Sequence, residues 1–266
     1  MTDWNSVVDA DYAVPAHRDL RGLVGELSRA LADRDPEVRD GAPYAVLHTW
    51  LERGVIDGEL RQELGDAMAA RFGDPEVQAR TFAPLVLDMV VGAGGFDPAW
   101  VDAFERWYAA EDDLRGHDPE LGWLHAVAHG ADLLDRLGRH ADVDPVRMLE
   151  LAAARLTAPT GHVLDQLEDD RLARAVARVL TRGDLGKQGS VEWLDAVEAE
   201  FGADRLVTPV PAAFSNCLRT LRLLYVLADR GVRAPGAPAA ADPEPLRHAG
   251  AVKARLGEVL DRMAPR

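Results

Sequence analysis

Cysteine is almost absent from this 266-residue chain. With Cys217 alone, no internal disulfide can hold the fold. Its setting, AFSNCLRTLRLLYVL, is an apolar helical stretch of the kind that buries an inert thiol. Long apolar runs are absent too: nothing approaches the roughly 18–20 residues that cross a bilayer. The opening MTDWNSVVDADYAVP has neither a basic segment nor an apolar leader. The expectation is a cytoplasmic protein without membrane contact. No stretch sustains period-two alternation of Val, Ile and Thr, which argues against a substantial sheet. Basic charge is in deficit, with 30 Lys and Arg against 45 Asp and Glu and a formal net charge of −15. Binding a nucleic-acid backbone requires clustered Lys and Arg, whereas here the arginines alternate with acids, as in LADRDPEVRD and EDDRLARAVARVL. That pattern excludes a nucleic-acid partner and favours cations, metal ions or basic partners. Also missing are a phosphate-cradling glycine loop, a Gly-x-Ser-x-Gly turn and a Cys/His zinc framework. The glycines of VVGAGGF (90–96) come after a helical pattern rather than a strand and read as a helix-ending loop.

What the chain does have is apolar residues spaced by three and four, as at Leu20, Leu23, Val24, Leu27 and Leu31, and at Leu172, Val176, Val179 and Leu180. This is the pattern of amphipathic helices, and it predicts an all-α protein. Three segments align without gaps: DPEVRDGAPYAVLHTWL from Asp35, DPEVQARTFAPLVLDMV from Asp74 and DPELGWLHAVAHGADLL from Asp118. Fainter copies start at Asp144 and Asp242. Asp caps a helix, Pro fits its first turn and Glu favours the positive end of its dipole, so each copy is expected to start a helix. A period of about 40 with two helices per unit resembles HEAT repeats. The resemblance implies a single domain over 1–266, an α-solenoid of about six helix pairs. A Pro/Ala-rich loop at 231–245 would precede a capping helix at 246–263.

The segment GWLHAVAHGADLL (122–134) places His125, His129 and Asp132 on one stripe of a helical wheel, with Val127, Ala131 and Leu134 opposite. Such a stripe is either a solvated face or a site. By the HEAT resemblance, the helix after the Asp-Pro turn lines the concave surface. Glu111, Asp113 and Arg115 lie just upstream in EDDLRG, and Glu168, Asp169 and Arg171 downstream in LEDDRLARAV; each cluster also fits a solvated or capped helix end. Histidines at i and i+4 can share a divalent metal. Asp132 lies about 10 Å along the axis from His125 and suits orienting His129 better than ligating the same ion. Without metal, the same residues make a His/carboxylate acid–base pair beside an anion-holding Arg115. Trp123 falls toward the apolar side, as core or pocket wall. Ala126 stands where a metalloprotease would carry its general base.

YAAEDDLRG followed by GWLHAVAHGADLL resembles the signature of the bacterial proteins grouped as domain of unknown function 2785, with looser similarity in RDGAPYAVLHTWL, ARTFAPLVLDMV, EDDRLARAV and NCLRTLRLLY. The resemblance implies a HEAT-like helical fold. It marks Glu111, Asp113, Arg115, Trp123, His125, His129 and Asp132 as site residues and supplies no reaction. Two functions are expected. In the first, His125, His129, Glu111 and Asp113 do chemistry on a small molecule or short peptide, with or without a metal on His125 and His129. There Asp132 orients, while Arg115, Trp123, Glu168, Asp169 and Arg171 contact the substrate. In the second, an acidic groove binds a basic peptide without catalysis.

Overall fold

A computed structural model describes residues 2–202, 209–238 and 240–263. As the three- and four-residue periodicity requires, it is mostly helical. In order the elements are α1 (Trp4–Asp9), α2 (Leu20–Ala30), α3 (Pro36–Arg39), α4 (Ala42–Glu52), α5 (Gly58–Arg71), α6 (Val77–Gly92) and α7 (Pro98–Ala110). A two-residue hairpin comes next, β1 (His117–Asp118) paired antiparallel with β2 (Gly122–Trp123). Then come α8 (Ala126–Gly138), α9 (Pro145–Thr157), α10 (Glu168–Val179), α11 (Gly189–Glu192), α12 (Leu194–Phe201), α13 (Ala212–Arg230) and α14 (Ala249–Met263). Among the described residues no helix is long and apolar enough to cross a membrane.

The chain divides into two compact units, Met1–Trp107 with Arg115–His129, and Tyr108–Leu114 with Gly130–Arg266. In the first, α4 packs on α1, α2, α3 and α6, and α5 on α2 and α6. Its core holds Leu23, Leu27, Leu47, Trp50, Met68 and Leu87, all fully buried. In the second, α13 packs on α9, α10 and α14, with α12 on α9 and α14. Leu149, Val176, Leu221, Leu224 and Leu256 fill its core together with Cys217. Burial pushes the Cys217 thiol far above the ordinary thiol range, since a thiolate there would have no solvation.

The Asp-Pro turns do not all start helices. Asp35 and Asp144 do: each caps its helix, accepting from the amides of Glu37 and Val146 at 2.9 Å, with proline in the first turn. Asp74 accepts from the amide of Glu76 at 2.9 Å, and α6 begins after Glu76. The Asp118 copy corrects the expectation outright, because its carboxylate accepts from the amides of Glu120 (2.8 Å) and Leu121 (2.9 Å). That closes a tight turn, which becomes the hairpin. Asp242 starts no helix either; the chain pairs Val232 with Glu244 in a bridge (2.9 and 2.8 Å) and α14 begins at Ala249 rather than 246. The predicted 231–245 loop is therefore closed at both ends, and its position 239 lies outside the described residues. The 90–96 glycines do end a helix: α6 stops at Gly92 and Gly94 takes φ +89°.

Two consequences can be measured. Gly65→Ala should gain about 1 kcal/mol of helix propensity, yet the added carbon would run into the Trp100 ring. That indole is pinned by its Nε1–H bond to Asp66 (2.7 Å) and cannot step aside. A net loss of about 1–2 kcal/mol, read as a lower urea midpoint with unchanged slope, is expected. Native Cys217 should resist thiol reagents and label only at the rate of unfolding, checked by following labelling across a urea series.

Candidate functional site

The hairpin is built by local chemistry. The amides of Leu121 and Glu120, and Arg115 beside it, hold the Asp118 carboxyl below the usual carboxylate range. β1 and β2 then face His117 with Trp123. Gly122 has φ +71°, and a side-chain carbon there would sit 2.7 Å from Cβ of Pro36; both the backbone and the space demand glycine. The chain leaves β2 through His125, which adopts a left-handed φ of +52°. This conformation costs a non-glycine residue about 1 kcal/mol, with histidine among the residues that tolerate it best. The His125 carbonyl accepts the first helical bond, from the His129 amide at 2.9 Å. His125 thus stands ahead of α8, and the single helical stripe read from the sequence begins one residue too early.

The side chains form a run of rings from the surface inward. Trp123, 44% exposed, is not a core residue. It stacks nearly parallel on His125 (centroids 4.6 Å, 6°) and meets His117 edge-on (4.9 Å, 79°). His125 meets His129 at 5.7 Å, and His129 meets Phe82 of α6 at 5.2 Å. His129 is only 7% exposed. Its Nδ1 lies 2.9 Å from the carbonyl oxygen of Thr81. A carbonyl only accepts, so Nδ1 carries a proton and any change of protonation of the ring falls on Nε2.

Arg39 holds the assembly. It is fully buried and donates to Leu121 O (2.5 Å), Trp123 O (3.2 Å), Asp33 O (3.0 Å) and the Asp40 carboxylate (3.0 Å). Its guanidinium lies over the Phe82 ring, 4.7 Å from the centroid. One side chain of α3 therefore fixes the backbone of Trp123 and the ring that backs His129. Burial raises the Asp40 carboxyl, opposed by the Arg39 charge.

Of the residues chosen from sequence, Arg115, Trp123, His125 and His129 lie in the first unit. The last three are in ring contact, and Arg115 pairs with Asp118. Glu111, Asp113, Asp132, Glu168, Asp169 and Arg171 lie in the second unit. There Glu111 is buried and accepts from the Asp113 amide (3.1 Å), while Arg155 donates to the carbonyls of Glu111 (2.7 Å) and Tyr108 (3.0 Å). Asp132 takes a two-point pair from Arg171 (3.0 and 2.8 Å). Asp169 takes Nε of Arg219 (2.5 Å), and the buried Glu168 accepts from the Gln166 amide (2.9 Å). Among the described residues no group of three or more His, Cys, Asp or Glu is placed to hold a metal ion.

Sequence reasoning missed His117, Arg39, Thr81 and Phe82. His117 carried a usable signal, an Asp-Pro turn and a glycine that set it across from Trp123. The other three act over some 50 to 85 positions of chain and leave no local trace.

The arrangement defines a mostly helical protein with an imidazole–indole cluster on a short hairpin. Residues 68–226 match the family described as a protein of unknown function (DUF2785), and the chain belongs to that family. No curated protein and no solved structure matches it.

Arg39→Lys keeps the charge and loses the fork that reaches two carbonyls at once. It should cost about 1.5–3 kcal/mol and shift the Trp123 indole resonance in a proton–nitrogen NMR spectrum. An unchanged indole resonance would show that Arg39 does not hold the hairpin.

Proposed function

We propose that this DUF2785 protein is a cytoplasmic, HEAT-like helical-repeat protein that binds or acts on a small molecule or short peptide at the ring cluster of its first unit. His129 is its acid–base group, His125 lines the approach and Arg115 locks the Asp118 carboxylate of the hairpin in place. One observation carries the reading: the Nδ1–H bond of His129 to Thr81 O leaves Nε2 as the nitrogen that takes up or gives the second proton, at the inner end of a run of rings that starts at the surface. An imidazole locked in one tautomer, with its basic nitrogen defined, is the usual form of a general base.

The test is a ligand-detected NMR screen of metabolite and dipeptide mixtures against the wild-type protein, followed by assay of the hits. His129→Gln should abolish turnover of a converted hit or lower it by about 10²–10⁴-fold, and His125→Ala should weaken binding of the same hit. Hits that bind and turn over equally well in both variants would remove the cluster from the function.

A second reading, a non-catalytic scaffold that binds a basic peptide, is favoured by one feature, the exposure of Trp123. Large aromatics at the surface are enriched where proteins bind partners.

A further inference from the structure

We propose that Trp123 is the docking platform for a cationic side chain, arginine or lysine, of a basic peptide segment. This rests on the ring cluster being the functional site and names the chemistry of what reaches it first. Trp123 is the only tryptophan among the exposed large apolar residues of the described chain. Its backbone is fixed by strand pairing and by the Arg39 bond to its carbonyl. One ring face lies flat on His125 and the His117 ring stands across the indole at 79°, so the indole is held rigid while 44% of the residue stays open. A rigid aromatic loses little entropy on binding, and an indole face attracts a cation more strongly than any other side-chain ring.

Charge selects the same partner. The hairpin carries Asp118 and Glu120, and α3 carries Glu37 and is followed by Asp40. His117, which touches Trp123, is close enough to both Asp40 and Asp118 to act on their carboxyls. Arg39 and Arg115 are committed to those two carboxylates, and Arg39 is buried. At long range the formal −15 of the chain draws basic segments and repels acidic ones. An anionic or neutral segment would gain neither the field nor the ring face.

The experiment is a calorimetric titration of the full chain with a capped tetra-arginine peptide, with the tetra-citrulline peptide as the uncharged partner of nearly the same shape. Wild type should bind tetra-arginine saturably and tetra-citrulline at least 10-fold more weakly. Trp123→Leu should weaken tetra-arginine by about 5- to 30-fold, and Trp123→Phe by less. Trp123 is exposed and the Arg39 clamp uses its main chain, so both variants should fold, which a urea midpoint checks. Undiminished binding in Trp123→Leu, equal binding of the citrulline peptide, or no saturable binding of tetra-arginine each overturns the proposal. Failure of the acid–base reading is distinct: His129→Gln would then be silent on every ligand while Trp123→Leu still weakens tetra-arginine. In the converse case, an uncharged ligand that depends on His129 and ignores Trp123 would leave the site standing and remove the cation.

Discussion

The buried guanidinium of Arg39 is the constraint on which the first unit's site depends. A fully buried charge is costly unless its donors are satisfied, and here the satisfying acceptors are spread over three stretches of chain: Asp33 and Asp40 at the ends of α3, and Leu121 with Trp123 in the hairpin. Removing the hairpin from this position would leave two donors buried without acceptors. The hairpin is therefore held by the desolvation cost of the arginine at least as much as by its own strand bonds. Two residues per strand are too few to be stable alone.

The same device recurs through the molecule. Arg71 donates to Ser28 O, Arg53 to Asp11 O, Arg155 to Tyr108 O and Glu111 O, and Arg182 to the carbonyls of Gly138, His140 and Val143. Most of these acceptors lie in the last turn of a helix or just beyond it, where carbonyls have lost their intrahelical partners. A helical protein with many short connections has many such carbonyls. A planar group with five donors can serve two or three at once, which an ammonium on a flexible stem does less well. Of the chain's 30 basic residues, only Lys187 and Lys253 are lysines. Of the arginines interleaved with acids, Arg39 and Arg178 are buried. Burial accordingly lowers the pKa of Arg71 and Arg155, a cost their carbonyl bonds offset.

The helices were legible because their signal is local. Periodicity places the apolar stripes of α2 and α10, and Asp caps α3 and α9 where the Asp-Pro pairs stand. The Asp-Pro signal fails at Asp118 for a physical reason. An aspartate that caps amides two and three residues on makes the same bonds in a tight turn as at a helix start, and the next few residues of chain decide between the two. At Gly122 the decision is tertiary, since Pro36 of the first copy occupies the space that a side chain there would need. Aligned positions of the first and third copies meet in this contact: Arg39 aligns with Gly122 and donates to the residue beside it. A gapless alignment reveals the repetition but not that the copies touch. For the site, the spacing of His125 and His129 pointed to a real pair of rings, while the stack with Trp123 and the tautomer of His129 depend on Arg39 and Thr81, distant in sequence.

In the second unit, arginine reaches two of the acidic side chains that the sequence picks out, Asp132 and Asp169. Glu111, Asp132, Glu168 and Asp169 look, in sequence, like carboxylates available for a ligand. In the fold Asp132 is bound at two points by Arg171 and Asp169 by Nε of Arg219, whose Nη2 reaches both Leu164 O and Asn216 Oδ1. Asn216 in turn accepts from the Leu164 amide and donates to His162 O, both at 2.9 Å. This network fixes the segment leading into α10, including Leu167, which is held at φ +66° and is 70% exposed. An exposed leucine gains nothing from burial to offset a left-handed backbone, so the surrounding hydrogen bonds must hold it there. His125 is in the corresponding position ahead of α8, also left-handed and also fixed by its neighbours, with its amide directed at the carbonyls of Arg115 and Gly116. Its strain is offset differently, by a ring laid flat on Trp123. The two helix entries share a backbone device, and the one in the first unit sets the His125 ring against Trp123 and His129.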